Sequence, residues 1–290
     1  MSQKLNQVKQ PLQRKRVVAG NSLPPLFFFV VVALLGLVFG SFNTVLIARI
    51  PDLLSLNGRS KCPSCGQQIK SRDNIPVIGY LLLRGKCRSC KKQISPRYLI
   101  VELITAIAVF IPLIKFDRWA LIAAWEIFVI LGIALSAIDF ELHRLPDALT
   151  GPMYLLVLVF LTIDALTNHR AHYLNHAFLA SIILGAFYWI VNRLSKGGMG
   201  LGDAKLATTI GLLTGYISAT SVYVASMAGF ALGSLVGVGL MIFKKAGRKS
   251  ALPFGPFMIA GAIVALWITP WVNHLGRVHD LTALVYFGRI

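Results

Sequence analysis

Four cysteines form the most specific chemical pattern in this chain of 290 residues. Cys62 and Cys65 make one C-x-x-C pair, and Cys87 and Cys90 make a second pair after a gap of 21 residues. Two such pairs allow four thiolates to converge tetrahedrally on one Zn²⁺ ion, with no open position left on the metal. We therefore predict a structural zinc ribbon. The alternatives are two disulfides, which would need an oxidising compartment, and two redox-active cysteine pairs.

Three aspartates at the ends of apolar segments form the second pattern, and they are Asp139, Asp147 and Asp203. Ionisable groups at such segments are costly in a membrane and mark candidate functional sites. Two carboxylates held close together share one proton, so that one can take a proton from water while the other polarises a carbonyl group. The simpler alternative is that Asp147 and Asp203 each cap the helix that follows.

Glycines precede the third of these aspartates. Gly200 and Gly202 lie just before Asp203, and residues without a side chain let a substrate backbone approach closely. Nucleotide-binding loops also contain such glycines, but they follow a β-strand, whereas here a long apolar segment precedes the glycines. We interpret three further acids of the apolar segments as helix-packing or interfacial residues: Glu102, Glu126 and Asp164.

The composition indicates the kind of protein that positions these groups. Apolar residues make up 56% of the chain, charged residues only 14%, and the mean hydropathy is +0.70. Those values exclude a soluble globular domain and a disordered chain. Long unbroken apolar runs also exclude the alternating segments of a transmembrane β-barrel. The sequence therefore predicts an all-α polytopic membrane protein with about eight transmembrane helices and a small cytoplasmic zinc-ribbon insert.

The predicted spans account for the long apolar runs. They lie near residues 26–48, 99–114, 119–138, 149–167, 174–192, 205–218, 221–243 and 255–272. These spans divide the chain into five segments: a basic N-terminal tail (1–22), a first transmembrane helix (23–48), a cytoplasmic zinc-binding insert (49–98), a membrane-embedded core (99–273) and a C-terminal tail (274–290).

The charge distribution predicts the orientation. The net charge is +18. In a helical membrane protein, such an excess of lysines and arginines indicates cytoplasmic loops beside anionic lipid rather than a nucleic-acid-binding face. With the cysteine insert in the cytoplasm, 19 of the 29 lysines and arginines fall on that side. The basic N-terminal tail favours the opposite orientation, but the larger total decides. All three aspartates then lie on the cytoplasmic side, and we expect membrane lipids, but no nucleic acid, as partners.

Several ordered motifs resemble those of the type IV prepilin peptidases, which are leader peptidases and N-methyltransferases of the Gly-x-Gly-Asp membrane aspartic protease type. The resemblance runs from about residue 40 to residue 260. The matching stretches, in chain order, are Gly40–Pro51, the four cysteines with Asn74–Cys87, Ile94–Tyr98 leading to Glu102, Ile138–Asp139 leading to Leu145–Thr150, Gly200–Asp203 with Lys205, and Pro253–Phe257.

The resemblance implies a function and assigns roles to residues. It makes residues 99–273 an aspartic peptidase core in which Asp139 and Asp203 are the catalytic pair. It places four more residues in supporting positions: Asp147, Gly200, Gly202 and Lys205. Members of the family remove a short basic leader from prepilins and pseudopilins after a glycine, at the cytoplasmic face of the bacterial inner membrane. They then methylate the new N-terminal residue with S-adenosylmethionine, for which no binding residue is assigned here.

A different class of function stays open on the residues alone. Asp139, Asp147 and Asp203 could form the ion or proton relay of a transporter, with the zinc ribbon as a regulatory domain. Relay carboxylates tend toward the middle of the membrane, whereas these three lie at predicted helix ends. The peptidase is therefore preferred, with Zn²⁺ and S-adenosylmethionine as the expected cofactors and with prepilin and pseudopilin precursors as the expected protein partners.

Overall fold

The computed structural model describes residues 25–195, 199–243 and 252–287, and long α-helices make up most of them. The helices are α1 (Pro25–Arg49), α2 (Ile78–Leu82), α3 (Arg97–Ala108), α4 (Phe110–Lys115), α5 (Trp119–Leu142), α6 (Asp147–Thr167), α7 (Ala171–Leu194), α8 (Leu201–Ile217), α9 (Ala219–Ile242) and α10 (Gly255–Phe287). Several basic residues used to predict the orientation lie outside the described residues: the tail 1–22, Lys196, Lys244, Lys245, Arg248 and Lys249.

Within the described residues, seven helical segments are long and apolar enough to cross a membrane, and α3 and α4 together form one of them. The eighth predicted span is α8, which has only 17 residues. Side chains of α8 nevertheless contact α6 near both of its ends. Near its start Lys205 contacts Asp147 at the beginning of α6, and near its end Tyr216 contacts Asp164 in the last turn of α6. The fold class is therefore confirmed as an all-helical multi-pass membrane protein with a small polar insert.

The turn between α5 and α6 follows from local chemistry. His143 adopts a left-handed conformation (φ 50°), and its N–H donates to the Asp139 carbonyl at 2.9 Å, which ends α5. Pro146 is extended and starts the next helix. Asp147 is the first residue of α6 and makes no capping hydrogen bond, so the capping role considered for it is wrong. Asp139 and Asp147 are thus at the same end of the bundle.

Two glycines bring α8 against α7. A Cβ atom added at Gly211 would lie 2.6 Å from the Ala180 carbonyl oxygen, and one at Gly215 would lie 2.5 Å from the Ala180 Cβ. Small residues four positions apart allow this close backbone approach between membrane helices. The contact holds α8, and with it Asp203 in its first turn, in a fixed position.

Candidate active site

Asp139 and Asp203 are brought together at one end of the bundle, in the last turn of α5 and the first turn of α8. Both are buried, with 4% and 7% of their surface exposed. Each carboxylate accepts a hydrogen bond from the backbone N–H of a glycine. Asp139 Oδ2 accepts from Gly255 and Asp203 Oδ2 accepts from Gly200, both at 2.9 Å. The two side chains are close enough for the charge of one to act on the other.

Leu145 packs between the two chain segments that hold this pair. A Cβ atom added at Gly202 would lie 2.8 Å from the Leu145 Cβ. One added at Gly255 would lie 3.2 Å from the Leu145 Cδ2 and 3.0 Å from Asp139 Oδ2. Neither position has room for a side chain, so these glycines set the spacing between the segments that carry the carboxylates.

Sequence reasoning assigned no role to Gly255 or to Tyr188. Gly255 lies in the Pro253–Phe257 stretch, whose proline and glycine content is the signal that could have indicated it. Tyr188 of α7 is 2% exposed, stacks on Phe230 with ring centroids 5.6 Å apart, and lies within electrostatic range of Asp203. Nothing in the local sequence distinguishes Tyr188 from the other aromatic residues of the apolar segments.

Asp147 and Lys205 form an ion pair on the exposed side of the site. The Lys205 Nζ and Asp147 Oδ1 atoms are 2.6 Å apart, and the two side chains are 53% and 72% exposed. The structure therefore brings two of the three predicted aspartates into a buried pair and places the third outside it. Exposed ion pairs of this kind contribute little to stability, typically about 1 kcal/mol or less.

A buried pair of carboxylates has a definite chemical capability. Two buried carboxylates within electrostatic range of each other do not both ionise cheaply, so such a pair can share one proton. The ionised member can take a proton from water, and the protonated member can donate a hydrogen bond to a carbonyl oxygen. The glycine N–H groups hold Oδ2 of each side chain in place.

The four cysteines converge into one cluster that could hold a metal ion. Their Sγ atoms all lie within 4.8 Å of one another, and those of Cys62 and Cys90 are 3.9 Å apart. Zinc–sulfur distances of about 2.3 Å in a tetrahedron give sulfur–sulfur distances of about 3.8 Å. All four thiols are free of disulfides. Backbone hydrogen bonds from Ser64 and Cys65 lower the pKa of the Cys62 thiol to about 6, whereas the pKa of the Cys65 thiol is raised to about 11, so the cluster does not hold four thiolates without a cation.

Two contacts tie the insert to the helix that carries Asp139. Arg97, at the start of α3, forms an ion pair with Glu141 in the last turn of α5. Arg144, just after α5, donates a 2.7 Å hydrogen bond to the Pro51 carbonyl. Because Glu141 follows Asp139 by only two residues, the insert is held against the same turn of α5 that positions one carboxylate of the pair.

A cavity of about 570 Å³ lies between the insert and helices α1 and α3. Glu102 of α3 forms part of its lining and is 8% exposed. Its Oε2 accepts a 2.7 Å hydrogen bond from the Val77 N–H. Gly40 of α1 packs on the Glu102 backbone, where an added Cβ would lie 2.7 Å from the Glu102 Cα. Glu102, which we interpreted as a helix-packing or interfacial residue, therefore also faces this cavity.

The remaining predicted acids lie away from the aspartate pair. Asp164 is fully buried at the opposite end of the bundle, where it accepts hydrogen bonds from Arg118, from the Asn168 side chain at 3.2 Å and from the Tyr216 hydroxyl at 2.7 Å. This network joins the start of α5 to the ends of α6 and α8. Asp164 therefore holds these helices together, which is the packing role expected for it. Glu126 lies within α5, and its Oε2 has no hydrogen-bond partner in the part of the chain that the structure describes.

These features define a class of protein: a multi-pass helical membrane protein with a buried pair of aspartates and a four-cysteine insert. The family model described as Bacterial Peptidase A24 N-terminal domain matches residues 34–116. The model described as Type IV leader peptidase family matches residues 126–242. The chain belongs to the type IV leader peptidase family.

Several curated relatives cover most of the chain. The chain is 33% identical to the Prepilin leader peptidase/N-methyltransferase of Aeromonas hydrophila, over 85% of this chain and 94% of that protein. It is 31% identical to the protein of the same name from Pseudomonas aeruginosa, over 84% of this chain and 91% of the relative. The relative from Burkholderia pseudomallei is 32% identical over 83% and 86%. No solved structure matches the chain.

Proposed function

We propose that this protein is a membrane-embedded aspartic endopeptidase that removes the basic leader of type IV prepilins and pseudopilins after a glycine, and that it then methylates the new N-terminal residue with S-adenosylmethionine. The buried pair of Asp139 and Asp203, each held by a glycine N–H, is the observation that carries the peptidase activity. Membership of the type IV leader peptidase family supports it. The names of the relatives supply the class of substrate and the second activity.

Hydrolysis by this pair starts with one carboxylate ionised and one protonated. The ionised carboxylate takes a proton from a water molecule as the water oxygen attacks the scissile carbonyl carbon. The protonated carboxyl donates a hydrogen bond to the carbonyl oxygen, on which negative charge develops. The tetrahedral intermediate then collapses, the C–N bond after the glycine breaks, and the pair returns one proton to the leaving amine.

Zn²⁺ is the ion that we propose for the four-cysteine cluster. The sulfur spacing of 3.9 Å between Cys62 and Cys90 fits a tetrahedral thiolate site, which has edges of about 3.8 Å. An ion held by four thiolates has no position for water, so it stabilises the fold of the insert.

The cytoplasmic placement of the site is proposed from charge. The insert carries 11 lysines and arginines and contacts the same end of the bundle as the aspartate pair. The transporter alternative is not favoured, because Asp139 and Asp203 lie in the terminal turns of their helices and the family is one of peptidases.

Incubation of the purified full-length protein with a prepilin that carries a basic leader and a glycine at the cleavage point tests the proposal. Mass spectrometry of the product reports both activities, since cleavage removes the leader and methylation adds the mass of one methyl group. We expect both changes in the presence of S-adenosylmethionine and only the first in its absence. A product that keeps its leader under both conditions would contradict the peptidase.

A further inference from the structure

We propose that α2, the short helix of the insert, lies in the membrane interface. Its outer face contacts the acyl chains of the leaflet nearer to the aspartate pair, and the basic residues that follow it contact anionic lipid headgroups. The helix spans only Ile78–Leu82 and belongs to a segment that is otherwise polar. Contact between α2 and the bilayer would fix how the whole insert sits on the membrane.

The residues of α2 separate into two faces. Three large apolar side chains at positions i, i+3 and i+4 form the outer face: Ile78 (52% exposed), Leu81 (61%) and Leu82 (74%). The opposite face, with Gly79 and the adjoining Leu83, lines the cavity between the insert and helices α1 and α3. A contiguous apolar patch on a polar segment marks an interaction surface.

The position of α2 along α3 brings this outer face to the level of the bilayer. The Val77 N–H group, immediately before α2, donates its hydrogen bond to Glu102 Oε2 at 2.7 Å. Glu102 lies five positions beyond the start of α3 at Arg97, which is about 7.5 Å along the helix. Ile100 and Leu103, on either side of Glu102, are exposed and belong to a segment that is long enough to cross the membrane. Helix α2 therefore begins beside a lipid-facing part of α3.

Helix α1 also places Glu102 inside the membrane span. Gly40 packs on the Glu102 backbone and lies nine positions before the end of α1 at Arg49, about 14 Å along the helix. Val38 and Phe42, close to Gly40 in α1, are exposed apolar residues. Short or irregular backbone at such a depth is tolerated where protein covers its polar groups. The bond to Glu102 does so at the start of α2, and the outer face of α2 carries only apolar side chains.

Contacts with the cysteine part of the insert fix the orientation of α2. Gly79 packs against the Asp73 carbonyl group and leaves no room there for a side chain. The Asp73 carboxylate accepts two hydrogen bonds from Arg88, at 2.6 and 2.7 Å, and Arg88 lies between Cys87 and Cys90. These contacts connect the cysteine cluster to the inner face of α2, so the outer face cannot turn inward without breaking them.

Positive charge directly follows the apolar face and selects its partner. Arg84 and Lys86 are exposed, and neither forms an ion pair in the part of the chain that the structure describes. Residues 49–98 contain 11 lysines and arginines but only two acids, of which Asp73 is paired with Arg88. A second copy docked through the same patch would bring like charges together. Anionic headgroups beside acyl chains complement both the charge and the apolar face.

Photochemical cross-linking from the two faces of α2 tests the proposal. The full-length protein is placed in nanodiscs of phosphatidylcholine and phosphatidylglycerol, with p-benzoylphenylalanine in place of Leu82 or, as the matched control, of Leu83, which faces the cavity. After illumination, mass spectrometry identifies the adducts. We expect lipid adducts at position 82 and their loss at position 83. An unchanged midpoint of thermal unfolding reports that each variant is folded.

Hydrogen exchange of residues 75–86 tests the headgroup contact separately. We expect exchange to be about 10-fold slower in nanodiscs that contain phosphatidylglycerol than in phosphatidylcholine alone, because two basic residues gain anionic partners. The double variant Arg84→Gln, Lys86→Gln should lose this difference. Lys61→Gln with Lys70→Gln removes the same charge from the cavity lining and should keep the difference.

Three results would overturn the proposal. Folded protein without lipid adducts at position 82 would show that the outer face of α2 is solvated. Adducts at that position with a second copy, or with an added prepilin in preference to lipid, would assign the face to a protein partner. Equal exchange rates in the two lipid compositions would show that Arg84 and Lys86 do not contact anionic headgroups.

Discussion

The Gly255 N–H group donates a 2.9 Å hydrogen bond to Asp139 Oδ2 across 116 positions of the chain. Gly255 begins α10 and Asp139 lies in the last turn of α5, so the bond fixes this carboxylate relative to a second helix. A side chain at position 255 would lie 3.0 Å from the same oxygen. The position of Asp139 therefore depends on a residue that has no side-chain chemistry of its own.

The glycine spacing around the site gives the first prediction. Gly202→Ala places a Cβ 2.8 Å from the Leu145 Cβ and 3.2 Å from its carbonyl oxygen, so Asp203 must shift relative to Asp139. Because small misplacements of reacting groups are costly, we expect kcat for leader cleavage to fall about 10-fold or more. Steady-state cleavage assays measure this change.

Gly151→Ala is the matched control for that substitution. Gly151 lies in α6, and an added Cβ meets nothing within 4 Å. We expect its kcat to match that of the wild type. If Gly202→Ala also keeps the wild-type kcat, then the close packing on Leu145 does not set the geometry of the pair.

Metal content gives the second prediction. Elemental analysis of the purified protein should find one zinc ion per chain, and Cys62→Ser or Cys87→Ser should lose it because a ligand is removed. The insert should then become sensitive to proteases, since metal binding supplies much of the folding energy of such small units. Ser89→Ala changes a residue between two of the cysteines without removing a ligand and should keep the zinc. Intact mass showing two disulfides would contradict the assignment.

The buried network at the far end of the bundle gives the third prediction. Asp164→Asn leaves the Arg118 guanidinium, whose side chain is 27% exposed, without its charged partner, and losing a hydrogen bond between charged groups costs about 1.5–3 kcal/mol. We expect a lower midpoint of thermal unfolding in detergent. Asp117→Asn removes a nearby exposed charge and should leave the midpoint unchanged. Equal midpoints for the two variants would show that the network does not stabilise the bundle.

The exposed pair of Asp147 and Lys205 gives the fourth prediction. Since these side chains are 72% and 53% exposed, Asp147→Asn should change the free energy of unfolding by about 1 kcal/mol or less and should leave most of the cleavage activity. The reason is the weakness of an exposed pair and not a retained helix cap, because Asp147 makes no capping bond. Loss of activity as complete as in Asp203→Asn would instead put Asp147 in the reaction.

The sequence predicted the parts of the site that depend on local patterns. The spacing of Cys62, Cys65, Cys87 and Cys90 was enough to predict their convergence, because two C-x-x-C pairs form one site by a known geometry. The alternation of spans was enough to place Asp139 and Asp203 at the same end of the bundle. The spans themselves came from uninterrupted apolar runs. Seven of the eight predicted spans correspond to described helices that are long and apolar enough to cross a membrane, whereas α8 is a helix of only 17 residues.

The parts that depend on helix rotation and long-range contact were not predictable. Which aspartates pair is decided by the faces of α5 and α8 that meet, and this is why Asp147 could not be separated from the other two on the residues alone. The bond from Gly255 joins distant helices and has only a weak local signal. The sequence alone could not show that Glu102 faces a cavity, because the cavity forms only when the insert folds against α1 and α3.

Leader cleavage by Asp139→Asn and Asp203→Asn, measured on the same prepilin under single-turnover conditions, tests the central claim most directly. Asparagine keeps the size of the side chain and its acceptor oxygen, but it can neither take a proton from water nor hold the shared proton of the pair. The account predicts that each variant is inserted, retains its zinc and leaves the prepilin uncut. Cleavage near the wild-type rate by either variant would show that Asp139 and Asp203 are not the catalytic pair.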